Sequence, residues 1–199
     1  SKFQKHDKNT NQVIGNIELT TPTKVLFEGF NEDIYHNKYG SFNLSGVREE
    51  FCYLFVGHWL NGDFGHDRKN ISLLIKTFCE TFKNKQKQPA LILHGEFTDV
   101  EMNSLYNHSK VKAMISLTKG EGFGRPLLEF TQSKKPIITT GWSGHVDFLQ
   151  PNMSVLLPGV LNDIHPSARN SWFIEGAKWF DVDQMALGKA LKDTYKNYK

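Results

Sequence analysis

The stretch Gly120-Glu121-Gly122-Phe123-Gly124-Arg125-Pro126-Leu127-Leu128-Glu129 decides how this chain is read. Val111 to Leu117, just before it, is a short apolar run of strand length. Just after the glycines, Pro126 sits where a helix takes its first residue, because proline has no N–H to lose there. Leu127, Leu128 and Phe130 then supply an apolar helical face. The stretch is therefore strand, glycine-rich turn, helix. Such a turn presents backbone N–H groups and the positive end of a helix dipole to whatever occupies it, which suits an anion or a cluster of hydroxyls.

Two carboxylates bracket the turn, Glu121 within it and Glu129 inside the helix. Taken singly, each reads as a solvated surface residue. The glycines between them change that reading, because they let backbone approach a ligand closely. A carboxylate beside anion-favouring N–H groups makes sense for a ligand that offers hydroxyls as well as phosphate, since an ionised carboxylate only accepts. A sugar nucleotide has both features.

The run Glu121 to Glu129 resembles the Glu-x7-Glu signature of retaining glycosyltransferases with the GT-B fold, the family 4 type. The likeness extends into Lys135-Pro136-Ile137-Ile138-Thr139-Thr140 and Gly141-Trp142-Ser143-Gly144-His145-Val146-Asp147, and covers about Lys24 to Leu157. The resemblance implies a hexose moved with retention from a UDP-, GDP- or ADP-sugar, no metal being required. It implies catalytic roles for Lys69, which binds the donor diphosphate, and for Glu121, which holds sugar hydroxyls. Gly122, Phe123, Gly124, Arg125, Pro126, Leu127, Leu128 and Glu129 become donor-binding residues, with Glu129 on the ribose. The family commonly has an arginine after the first strand's glycine. Here His58 stands there, and Arg68 is the substitute. A complete enzyme of this family has two nucleotide-fold lobes, and 199 residues have room for one. The chain then reads as the donor-binding lobe, weak in donor binding and inactive by itself. The missing N-terminal lobe is its partner. That lobe holds an unidentified glycan, lipid or protein acceptor, and peripheral membrane contact belongs to it too.

Composition is that of a globular domain: 39% hydrophobic and 23% charged residues, enough apolar content for a core. A net charge of +3 fits a phosphate-bearing ligand, and no arginine-rich run or nucleic-acid motif argues for nucleic acid. The two cysteines, Cys52 and Cys79, read as buried free thiols in a reducing, cytoplasmic compartment. No apolar stretch reaches transmembrane length. The eight histidines show no paired ligand spacing. Asp181-Val182-Asp183 has the Asp-x-Asp form of a divalent-metal motif, but its place before a terminal helix favours capping by Asp183.

Along the chain, residues 1–45 read as an interlobe linker or the end of a first lobe. Ser1 to Thr21 is weakly patterned, and Val25-Leu26-Phe27 is a short strand. Residues 46–180 form a Rossmann-like lobe of α/β class, a parallel sheet flanked by helices. Its strands are expected at Phe51–Val56, Ala90–Gly95, Val111–Leu117, Pro136–Thr140 and, last, Val155–Leu157. Helices are expected over Asn70–Lys83, after a Thr98/Glu101 capping box, and briefly over Gly144–Leu149. The connection Gly95 to Thr98 is shorter than the family pattern, in which a base-contacting helix and strand intervene; it reads as a skipped segment rather than a deletion. Trp172, Phe173, Trp179 and Phe180 read as packing. Residues 181–199 form a closing helix with Met185, Ala186, Ala190, Leu191 and Tyr195 on one face, returning toward the missing lobe. Two other readings are a nucleotide-sugar-binding module without transferase activity and a Rossmann dehydrogenase. Arg125 in place of the last fingerprint glycine, and no acid at the expected distance, argue against the dehydrogenase.

Overall fold

The computed structural model describes residues 2–198 apart from 8, 11, 19, 23, 25, 37–41, 94, 172 and 174. The chain opens with Lys2–His6 (β1) and Val13–Glu18 (β2), paired antiparallel. The weakly patterned start, expected to be a linker or the end of a first lobe, thus contains a hairpin. Asp7 makes its turn, the carboxylate accepting from the Asn9 and Thr10 amides at 3.0 and 2.9 Å. The strand expected at 25–27 is not found: Leu26 and Phe27 lie outside any strand and are exposed, and Val25 is outside the described residues. A single helical turn, Glu32–Tyr35 (α1), follows.

The body is a run of alternating elements: Cys52–Phe55 (β3), Ile71–Phe82 (α2), Ala90–Leu93 (β4), Asp99–Asn107 (α3), Val111–Ser116 (β5), Arg125–Thr131 (α4), Ile137–Thr140 (β6) and Ser154–Leu157 (β7). The five strands form one parallel sheet in the order β4-β3-β5-β6-β7. The class is α/β and Rossmann-like, as expected. Strands buried on both faces need continuous apolar runs, and Cys52-Tyr53-Leu54-Phe55 and Ala113 to Leu117 supply them. On one face Tyr53, Phe55, Ala113 and Ile115 pack against Ile71 and Leu74 of α2. On the other, Leu54 and Met114 pack against Met102 and Leu105 of α3 and Leu127 and Phe130 of α4.

Chain direction and helix placement together set the crevice. The helix after β3 covers one face and the helix after β5 covers the other. Their loops leave the neighbouring strand ends in opposite directions, which makes the β3/β5 junction the switch point of a doubly wound sheet. Between Gly95 and β5, α3 carries the chain from β4 across β3 to β5. Its capping box is formed: Thr98 accepts from the Glu101 amide and Glu101 from the Thr98 amide. Lys135 donates to the carbonyls of Tyr106 at 2.6 Å and His108 at 2.8 Å. It ties the end of α3 to the start of β6, and burial pushes its amine down to about 8.

Val155–Leu157 is not the last strand. Gly159–Asp163 (β8) and Lys178–Val182 (β9) pair as an antiparallel hairpin, so Asp181 and Val182 are strand residues. Asp183 does cap the closing helix Gln184–Asn197 (α5), accepting from the Ala186 amide. Trp179 and Phe180 are buried and Phe173 packs edge-on to Trp179, in line with packing roles; Trp172 and His94 lie outside the described residues. The inner face of α5 is corrected: Leu187 and Leu191 are fully buried, flanked by Ala186, Ala190 and Tyr195, while Met185 is 86% exposed. The helix packs on α2 and the sheet, and Tyr53 donates from its hydroxyl to the Leu191 carbonyl at 2.5 Å. Cys52 is buried and burial raises its thiol to about 11, but Cys79 is exposed, contrary to expectation. No helix among the described residues is long and apolar enough to cross a membrane.

Leu191→Ala removes a side chain with no solvent exposure from the α5–sheet contact. It should cost about 2–5 kcal/mol in urea unfolding, whereas Met185→Ala should be near neutral.

Candidate functional site

The loop after β3 ends in Arg68 and Lys69, and the loop after β5 contains Glu121. They meet at the switch point. Lys69 donates from Nζ to both Glu121 carboxylate oxygens, at 2.9 and 2.8 Å, and Arg68 Nη1 reaches Oε2 at 3.2 Å and the Gly120 carbonyl at 2.8 Å. Thr118 adds a hydroxyl to Oε2 at 3.1 Å. Burial by itself pushes the Glu121 carboxyl up. The Lys69 charge and hydrogen bonds, the Arg68 charge and the Thr118 hydroxyl outweigh it and hold the group below its ordinary 4.5.

The glycine loop is seated on the turn after β6. Ser143 accepts at Oγ from the Glu121 amide at 2.9 Å and donates to the Glu121 carbonyl at 2.6 Å, and the Gly144 amide donates to that carbonyl at 3.0 Å. A Cβ at Gly144 would overlap the Gly122 carbonyl, so only glycine permits this approach. Gly124 has φ +90°, and a Cβ there would meet His145 and Glu121 side-chain atoms at 3.1 and 3.3 Å. His145 is fully buried beneath the loop, donating from Nε2 to the Thr140 carbonyl at 2.7 Å, while its Nδ1 has no partner among the described residues. Burial lowers its pKa and keeps the imidazole neutral.

Glu129 is 6% exposed rather than a surface residue. The Tyr106 hydroxyl stands 3.5 Å from Oε2, the Tyr35 hydroxyl lies near enough to favour the ionised carboxylate, and Arg125 Nε is 3.2 Å from Oε1. Burial raises the Glu129 pKa against those partners. Tyr35 comes from α1, within the segment expected to be linker. It stacks on Tyr106 at 6.1 Å, and the Asn103 side-chain amide donates to the Ile34 carbonyl, holding α1 on α3.

Arg68, Lys69, Arg125, Pro126 and Glu129 line one cleft of about 710 Å³ together with Gly57, His58 and Tyr35. Glu121 joins it through Lys69. Other members of the expected set face elsewhere. The Leu127 side chain is in the core, the amides of Leu127 and Leu128 donate to the Gly124 carbonyl, and Phe123 packs on Phe148. The helix begins at Arg125, placing Pro126 second. Tyr35, Tyr106, Thr118, Ser143 and His145 were not read as site residues, and single polar or aromatic residues give a sequence no periodic signal.

Lys119 braces the loop from the far side. Its ammonium, 4% exposed, pairs with Asp181; its amide donates to the Arg68 carbonyl at 2.8 Å and its carbonyl accepts from the Phe180 amide at 3.0 Å. Asp181, whose spacing to Asp183 suggested a metal motif, is thus an ion-pair partner. No group of three or more His, Cys, Asp or Glu side chains among the described residues is placed to hold a metal ion. A scan against protein-family models found no match, and a search of curated proteins found none either.

The two glutamates should have opposite signatures in acid–base titration of stability. The Glu121 contribution is present above 4.5 and is lost as pH falls through its lowered value; the Glu129 contribution is present below 4.5 and is lost as pH rises through its raised value. In thermal unfolding from pH 3 to 8, Glu121→Gln should lower stability at pH 7 by about 2–3 kcal/mol, because it strands Lys69. Glu129→Gln should match or exceed the native chain at pH 7 and lose its advantage toward pH 4. Asp181→Ala should cost about 2 kcal/mol, below the fully buried case because Asp181 is 38% exposed.

Proposed function

We propose that this chain is the donor-binding lobe of a retaining glycosyltransferase of the GT-B, family 4 type, moving a hexose from a nucleoside diphosphate sugar to an acceptor. The observation that carries the reading is the meeting of Arg68 and Lys69 from one loop with Glu121 from another, at the switch point of a doubly wound sheet. Ligands of such sheets bind outside the carboxyl ends of the strands at that point.

In this reading the bond from the anomeric carbon to the diphosphate oxygen breaks and its electron pair leaves with the nucleoside diphosphate. The acceptor hydroxyl oxygen bonds to the anomeric carbon on the same face, and its proton passes to the departing phosphate oxygen. Lys69 and Arg68 stabilise the charge that develops on the leaving group; one preorganised donor of this kind is worth about 10²–10³ in rate. Glu121 takes hydroxyls of the sugar. Glu129 takes the ribose hydroxyls, and for this it must exchange the Tyr35 and Tyr106 hydroxyls for those of the ligand. The two acids have separate tasks, unlike a glycosidase acid/base pair. No step calls on a metal. The acceptor belongs to a second lobe, and the reducing compartment suited to Cys52 and Cys79 is the cytoplasm.

The resting Lys69–Glu121 pair has a measurable consequence. A diphosphate must compete with the Glu121 carboxylate for Lys69, and it also meets that carboxylate's charge. Calorimetric titration with UDP, GDP, ADP and their hexose conjugates, without metal, tests the reading. One base should bind, and Lys69→Ala should weaken the diphosphate about 10–100-fold. Glu121→Gln should tighten the free diphosphate about tenfold while weakening the hexose conjugate relative to it. If no nucleotide binds, either to this chain or to a chain carrying the second lobe, the transferase reading is wrong. Binding of nucleotide sugar without transfer in a two-lobe protein would leave a binding module instead.

A further inference from the structure

The carboxyl edge of the sheet carries a second concavity. Between the β8–β9 hairpin and the loop after β3 lies a trough of about 340 Å³, which continues into a further space of about 620 Å³ along Asp163, Ile164 and Arg169. One wall is His66 and Lys119, each two residues from a member of the Arg68–Glu121 pair. The opposite wall is Asn162, Asp163, His165 and Arg169, with Trp179 and Ile164 as the buried apolar floor. The walls are joined: His66 and His165 stack at 3.9 Å, and the Asp63 amide donates to Ser167 Oγ at 2.9 Å.

The charges lining this trough are balanced. Lys119 and Arg169 offset Asp163 and Asp181. Lys119 is bound to Asp181, whose second oxygen accepts from the Asn162 side-chain amide at 2.8 Å, and Asp163 lies 3.9 Å from Lys178. A trough in which two cations are offset by two carboxylates offers little to a free phosphate. It does offer planar polar groups along β8 and the turn after it: Asn162, Asp163, His165, whose Nδ1 contacts Ser167 Oγ at 2.8 Å, and Arg169, whose Nε donates to the Ile164 carbonyl at 2.8 Å. An apolar floor beneath them suits the C–H face of a sugar ring.

We propose that this trough seats a neutral saccharide, the acceptor end of the reaction. The inference rests on the donor-lobe reading for that role, and it places acceptor recognition partly on this chain rather than wholly on a second lobe. The adjacency supports it: an acceptor lying along His165 and Asn162 and passing His66 and Lys119 reaches the Glu121 loop, where the donor sugar is held. Asp181 then acts as a positioning residue, since it holds the Lys119 that lines the trough and whose amide donates to the Arg68 carbonyl.

The test is saturation-transfer-difference NMR on the chain as it stands, with maltose, cellobiose, lactose and methyl α-mannoside as probes, with and without UDP, GDP or ADP. The variants are Asn162→Ala and His165→Ala, neither of which is a buried residue. At least one saccharide should bind, and both variants should weaken it about fivefold or more while leaving the diphosphate affinity unchanged. Saccharide binding indifferent to both variants would overturn the proposal, as would its complete absence in a chain that binds diphosphate. If diphosphate fails to bind but a saccharide binds and responds to the variants, the trough stands as a saccharide site and the donor reading falls.

Discussion

The pairing of β3 with β5 is the constraint on which the rest depends. Their side chains are buried on both faces, so each strand must have helices on both sides, and the chain places α2 and α5 on one face and α3 and α4 on the other. The loops that start those excursions diverge above the shared strand ends, and the space between them is the cleft. Arg68, Lys69 and Glu121 come together because their loops are rooted on adjacent strands, although more than fifty residues separate them in the chain.

Charge is placed there at a cost that the fold offsets locally. Glu121 is largely removed from water, and two cations and a hydroxyl are needed to keep it ionised. Glu129 is as deeply placed but has one exposed arginine and two tyrosine hydroxyls, and burial wins. Two carboxylates eight residues apart thus have opposite electrostatic character. This follows from what neighbouring elements bring to them: Lys69, Arg68 and Thr118 to Glu121, and Tyr106, Tyr35 and Arg125 to Glu129.

The bracing of the loop is carried by groups that do not line the cleft. Ser143, Gly144 and His145 hold it from the β6 side, and Lys119 with Asp181 holds it from the β8–β9 side. Support from two directions lets a glycine-rich segment, which has the greatest freedom to lose, hold a fixed carboxylate. The same Lys119 lines the trough while its amide donates to the Arg68 carbonyl, so the brace of the loop is also part of the trough.

Much of this was legible in the residue pattern. Continuous apolar runs of four to six residues gave the buried strands, helical spacing in Ile71 to Phe82 gave α2, and Thr98 with Glu101 announced α3, because period, capping and burial are local properties. The glycines beside Glu121 marked the loop for the same reason. Tertiary structure decided what depended on partners distant in the chain: the hairpins of residues 2–18 and 159–182, the exposure of Cys79 and Met185, and the seating of Tyr35 against Glu129. It also decided that Asp181 binds Lys119 rather than a metal, and that Lys69 and Glu121 bind each other. Sequence carries the periodicities that each segment imposes on itself; which charge meets which is set only when strand order brings separate loops to the same edge of the sheet.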